Sequence, residues 1–305
     1  MDPLARVIDP MMLAQPYMQN ALLTGTIVAI LAGLVGVFVV LRGVSFAAHA
    51  LGQMGFAGAA GAVLVGVTPL WGLVAFAGGG ALGLGILGAR AHGRDVTTAL
   101  LLVAALGTGA LFLTLNSAYA TAAFSLLFGT IVGVSRAQVW QTGLLALGCL
   151  VALAALYRPL LLASVSAELA AARGVPLRAV SILFLGVVGV AAAITVPTVG
   201  TLLIFSLMVG PAGAAVHLVH RPGAVLLVSV GLGLVATWTG MVLAYDTGWP
   251  VGCFISAIVA LLYLAARVIG PRWAGRSARG VPAATSDPTQ PDQAPDDQHA
   301  LYDGA

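Results

Sequence analysis

Lysine is absent from this 305-residue chain, and glutamate occurs once, as Glu168. Only 8% of the residues are charged, where soluble domains carry about 25%, and 60% are hydrophobic. Those proportions exclude a soluble globular protein. The missing lysine also excludes a P-loop, because G-x-x-x-x-G-K-[ST] needs its lysine at the nucleotide phosphates. Any ATPase serving this chain is therefore a separate subunit. Five of the ten acidic residues lie in the last twenty positions, and Asp246 sits at the end of an apolar run. Proton-coupled transporters place acidic or histidine relays inside their spans, so this scarcity disfavours secondary transport. Intramembrane proteolysis is equally unsupported: there is no G-x-S-G and no pair of intramembrane aspartates. Two cysteines, Cys149 and Cys253, fall in apolar runs and suggest packing rather than a disulfide framework.

What fills the chain instead is apolar sequence, with a mean hydropathy of +1.05. Runs of about 20 apolar residues, the length that crosses a bilayer as a helix, recur from end to end. The alternation of a transmembrane β-barrel is missing. The expected fold is an all-α polytopic membrane protein with about nine spans and one short re-entrant or interfacial helix. The spans fall at about 21–41, 46–67, 70–88, 97–115 and 139–157, then to about 195, to about 216, 224–245 and to about 269. "AAFSLLFGTIVGVSR", before the fifth span, is too short to cross and reads as the re-entrant piece. Residues 1–20 read as an extracytoplasmic lead-in without signal-peptide features, 21–270 as the membrane domain, and 271–305 as a disordered cytoplasmic tail.

All thirteen positive charges are arginines. With nine spans and the N-terminus outside, eleven of them fall on the inner side, leaving only Arg6 and Arg136 outside. Cytoplasmic loops hold the excess of positive charge, so this orientation is the expected one, multi-pass in the inner membrane.

One long inner loop, "YRPLLLASVSAELAAARGVPLRA", carries the marks of a short helix over 166–174. Ser166 suits the N-cap, Glu168 the first turn, Arg173 the last turn, and Gly174 the stop before Pro176. Such a helix is either a connector on the membrane surface or a docking element for a subunit that drives the chain.

Five stretches in order resemble the permease subunits of the metal-ion ABC transporters, the zinc, manganese and iron importers. They are "VGVFVVLRGVSFAAHAL", "FSLLFGTIVGVS", "YRPLLLASVSAELAAARGVPLRAVSILFL", "VGTLLIFSLMVGPAGAA" and "DTGWPVGCFISAIVALL". The likeness covers about Ala21 to Leu264. It implies an ATP-driven importer of divalent metal, zinc first, with manganese or iron as alternatives, and no enzymatic chemistry or covalently bound cofactor in this chain. It further implies an ABC ATPase subunit that alone binds ATP, an extracytoplasmic metal-binding protein, and a second permease copy, with the path between the copies. Ser166, Glu168, Ala171 and Gly174 then belong to the ATPase-coupling loop. Two other classes stay open: a permease for metal chelates such as siderophores or cobalamin, and an ion-coupled secondary transporter.

Within the second span, His49 and Gln53 lie one helical turn apart among small residues. The family commonly has Asp-Ala-Leu-x-His here, so His49 stands at the carboxylate position and Gln53 at the imidazole position. By that resemblance the pair is a candidate translocation path, with His49 the candidate metal ligand; the same residues also suit a polar helix–helix contact. Imidazole suits zinc, iron or nickel, whereas an amide oxygen is a poor ligand. His92, His217 and His220 sit beside arginines at inner span ends and read as headgroup contacts.

Overall fold

The computed structural model describes residues 15–87, 94–115, 134–201 and 204–277, and its regular structure among them is entirely α-helix. The helices are α1 (Pro16–Leu41), α2 (Ser45–Leu64), α3 (Pro69–Leu87), α4 (Arg94–Thr114), α5 (Arg136–Val165), α6 (Ala167–Ala172), α7 (Leu177–Val199), α8 (Ile204–Leu218), α9 (Pro222–Thr247) and α10 (Val251–Ser277). All but the last three residues of the expected re-entrant segment, His92, the first fourteen residues and the end of the tail lie outside the described residues.

Seven of these helices are long and apolar enough to cross a membrane. The two other spans expected from the sequence are also helical. Helix α8 is apolar but has 15 residues, and α2 has 20, built mostly of alanine and glycine around His49 and Gln53. The chain is a polytopic helical membrane protein.

Several boundaries move. Helix α1 begins at Pro16, where proline's fixed φ suits the first turn. Arg158-Pro159 was expected to end the fifth span, but α5 runs through Pro159 to Val165. Proline inside a spanning helix is tolerated when neighbouring helices and local adjustment re-satisfy the freed backbone. The expected break at "TVPTVG" comes late, because α7 includes Pro197 and ends at Gly200, whose φ of +90° a side chain would resist. Helix α10 continues past residue 270 to Ser277.

Of the seven long apolar helices, α1 and α7 have the largest buried share. Helix α1 packs against α5, α7, α8 and α9, while α2 packs against α3, α4 and α7, and α10 closes on α8 and α9. Small residues bring α2 and α3 together: a Cβ at Gly58 would strike the Gly72 carbonyl, and one at Gly72 would strike that of Gly58. In lipid, where apolar burial drives no association between helices, such close backbone approach supplies the packing. At the Arg42 end of α1, Arg42 donates from Nη2 to Ser181 Oγ at 2.7 Å and lies 5.7 Å over the Phe184 ring. Phe38 meets Phe184 and Tyr157 edge-on, at 6.4 and 5.8 Å, which ties α1 to α5 and α7.

Candidate translocation face and coupling helix

Gly43, at φ +63°, turns the chain tightly from α1 into α2 and so sets where the first turns of α2 stand. His49 projects from these turns, partly buried, with its ring edge-on to Phe205 of α8 at 5.5 Å. Its Nδ1 is buried and has no hydrogen-bond partner among the described residues. Gln53, one turn further, is 4% exposed and donates from Nε2 to the Thr201 carbonyl at 3.1 Å. The two side chains therefore have different surroundings. Gln53 pins α2 to the turn that follows α7, while His49 stays at the edge of α8.

Phe205 also lines a groove of about 530 Å³ between α8 and α10, with Ser45, Ser206, Ser256, His217 and Tyr263 along it. Ser206 and Ser256 hydrogen-bond across the groove at 2.8 Å, and the His217 ring meets Tyr263 edge-on at 5.7 Å. Sequence reasoning missed this row. Its only signal was isolated serines in "IFSLMVG" and "CFISAIV", which do not reveal that they face one another. His217 was read as a headgroup contact; it is exposed, yet it belongs to this groove. Among the described residues no three of histidine, cysteine, aspartate and glutamate cluster to hold a metal ion. The groove is lined mainly by carbon, with Ser45, Ser206, Ser256, His217 and the Tyr263 hydroxyl as its polar side-chain groups.

Helix α6 forms as its residues dictate. Ser166 caps it, accepting a hydrogen bond from the Leu169 N–H at 3.2 Å, and Glu168 lies in its first turn. Arg173 is the C-cap rather than a last-turn residue, and Gly174 follows at φ +74°. Ala170 is wholly buried on the side of α5 and α7, whereas Glu168, Leu169, Ala171 and Gly174 are exposed. One small anchor holds a short helix whose remaining surface faces outward. Asp246 is exposed near the end of α9, which Gly248 closes in the left-handed conformation, as a turn-former would be. Cys149 is buried, but Cys253 is exposed on α10, against the packing expected of it.

The chain is similar to known proteins along most of its length. The chain is 24% identical over 282 residues to the manganese transport system membrane protein MntC of Halalkalibacterium halodurans, covering 90% of this chain and 97% of that one. It is 28% identical over 263 residues to the manganese import system permease protein ScaB of Streptococcus pneumoniae, covering 84% and 91%. A probable metal transport system membrane protein of Treponema pallidum is 30% identical over 266 residues, with 85% and 98% covered. Among solved structures, PsaBC from Streptococcus pneumoniae in complex with Fab superposes with a TM-score of 0.80 at 24% identity, over 90% of this chain and 99% of that chain. An inward-facing putative metal-chelate type ABC transporter reaches 0.61 at 20% identity, over 87% of each. These two likenesses show that the fold is shared. The sequence model of the ABC 3 transport family matches residues 14–270, and the chain belongs to that family.

Proposed function

We propose that this chain is the permease of an ATP-driven importer of divalent transition-metal ions, working as a pair of copies. A separate ATPase docks on α6, and a metal-binding protein delivers the ion from outside. The N-terminus lies outside and the C-terminal end of α10 in the cytoplasm, as the eleven inner arginines favour. The chain itself performs no hydrolysis; it alternates access.

The observation that carries this reading is His49. An imidazole whose buried Nδ1 has no partner among the described residues, set beside a mainly apolar groove that holds three serines, is an available ligand in an unusual place. A transported ion must be held weakly enough to leave, so sparse neutral donors suit a path better than a closed cage. The same chemistry favours zinc over manganese, because α2 carries no carboxylate along with His49 to attract a hard ion. A second reading, manganese, is favoured by the names of two of the relatives above.

The test is uptake of zinc, manganese and iron in cells that lack the native gene and express the chain or its variants. His49→Ala is expected to lower uptake of the preferred metal by about tenfold or more, in line with changes around metal ligands. The variant should still reach the membrane in normal amounts. Gln53→Ala is expected to lower uptake as well, through the lost hold on Thr201. Full uptake in both variants would remove the path from this face; a manganese preference in the unaltered chain would replace zinc.

A further inference from the structure

Arg136 is one of the two arginines, with Arg6, that fall outside the inner excess, and the transport reading makes no use of it. It opens α5 in a first turn held from two sides. Ser135 and Gln138 cap each other, with Gln138 N–H to Ser135 Oγ at 3.2 Å and Ser135 N–H to Gln138 Oε1 at 2.9 Å. Asn20 of α1 donates to the Val134 carbonyl at 3.1 Å, fixing the start of α5 against α1. Immediately below runs an apolar groove of about 490 Å³ between the two helices, lined by Ile27, Ile30, Trp140, Gly143, Leu147 and Leu150 among others. Arg136, Trp140, Gly143, Leu147 and Leu150 recur at spacings of three and four, so the exposed cation stands above the groove on one face of α5.

We propose that this groove is a binding site for one phospholipid, its phosphate held by Arg136 and one acyl chain lying between α1 and α5. The lengths agree. From Val139 to Leu150 the helix rises about 16 Å at about 1.5 Å per residue, close to the roughly 15 Å that one leaflet contributes to a hydrocarbon core of about 30 Å. The lining is almost wholly carbon, while Trp140, 80% exposed, stands at the mouth where interfacial tryptophans belong. Charge complementarity selects the occupant: a hydrophobic chain topped by an anion matches a carbon groove topped by a guanidinium, which suits phosphate oxygens. Gly143 keeps the groove open, since a Cβ there would meet only Ile27 Cδ1, at an unstrained 3.7 Å. A larger side chain at this position fills the groove without displacing backbone. The site depends on the membrane fold alone and stands whichever ion the chain carries.

The experiment is native mass spectrometry of the full chain in its natural assembly, taken into mild detergent from nanodiscs of equal phosphatidylglycerol and phosphatidylethanolamine. The unaltered chain is expected to retain one phospholipid per copy, enriched in phosphatidylglycerol. Gly143→Leu should abolish retention. Arg136→Gln should weaken it by about fivefold, the effect of about one cationic side chain at a lipid surface, and remove the enrichment. Because Arg136 is exposed, its replacement leaves the fold intact even where Gly143→Leu expresses poorly. Equal retention in the unaltered chain and the Arg136→Gln form, or none in the unaltered chain, would overturn the site. So would oxidative cross-linking of Leu147→Cys between two copies, which would give the face to a protein neighbour.

Discussion

Arg42 shows how one side chain can answer to two forces. In the sequence it counts among the inner arginines that orient the chain; in the fold it is partly buried, bonded to Ser181 and stacked over Phe184. Hydrogen bonds involving a charged group contribute about 1.5–3 kcal/mol. Arg42→Gln is therefore expected to lower thermal stability in detergent by roughly that amount, reduced by the part of the side chain that solvent reaches. Arg42→Lys, which keeps the charge but loses the flat guanidinium, should recover only part of the loss. Combining Arg42→Gln with Ser181→Ala should cost less than the sum of the two changes, since both remove one contact. Strict additivity across that cycle would show that the bond contributes nothing to stability.

Between elements, the decisive residues are the ones with no side chain. Gly58 and Gly72 face each other so closely that neither tolerates a methyl without moving α2 from α3. Gly58→Ala is expected to cost about 1–3 kcal/mol, the usual range for overpacking, and to reduce the folded fraction seen by gel filtration of detergent extracts. Gly79→Ala, on α3 with nothing within 4 Å of the added Cβ, serves as the neutral comparison. This contrast marks what could be read in advance. Hydropathy located the apolar runs because lipid demands about 20 apolar residues per crossing. The α6 cap was readable because capping is local: Ser166, Glu168 and Gly174 act within one turn. Partnership between distant helices was not readable. "IFSLMVG" and "CFISAIV" each hold a serine, but only tertiary packing sets Ser206 against Ser256. Pro159 misled for the same reason, since its tolerance depends on neighbours that the local sequence does not name. His49 and Gln53 were singled out as a pair because helical spacing puts them on one face. Their separation into a groove-edge imidazole and a helix-pinning amide follows from where Thr201 and Phe205 stand.

For the whole molecule, the question is how a drive applied at one end would reach His49. Helix α6 sits between α5 and α7, and the Phe38–Tyr157–Phe184 contacts join those helices to α1. Arg42 and Gly43 follow at once, and then α2 with His49. A tilt of α6 thus has a continuous packed route to the candidate path, which a mobile surface connector would lack. If α6 is the docking element, its exposed residues should control ATPase attachment while leaving the permease fold unchanged. Glu168→Arg reverses an exposed charge and is expected to reduce the ATPase recovered with the tagged permease, with the melting temperature of the permease unchanged. Gly174→Val should act differently, because a β-branched residue at φ +74° is strained and would shift the end of α6. It should retain some ATPase yet transport less metal per ATP hydrolysed in reconstituted vesicles. Undiminished ATPase recovery with Glu168→Arg, together with an unchanged transport ratio with Gly174→Val, would reduce α6 to a connector on the membrane surface.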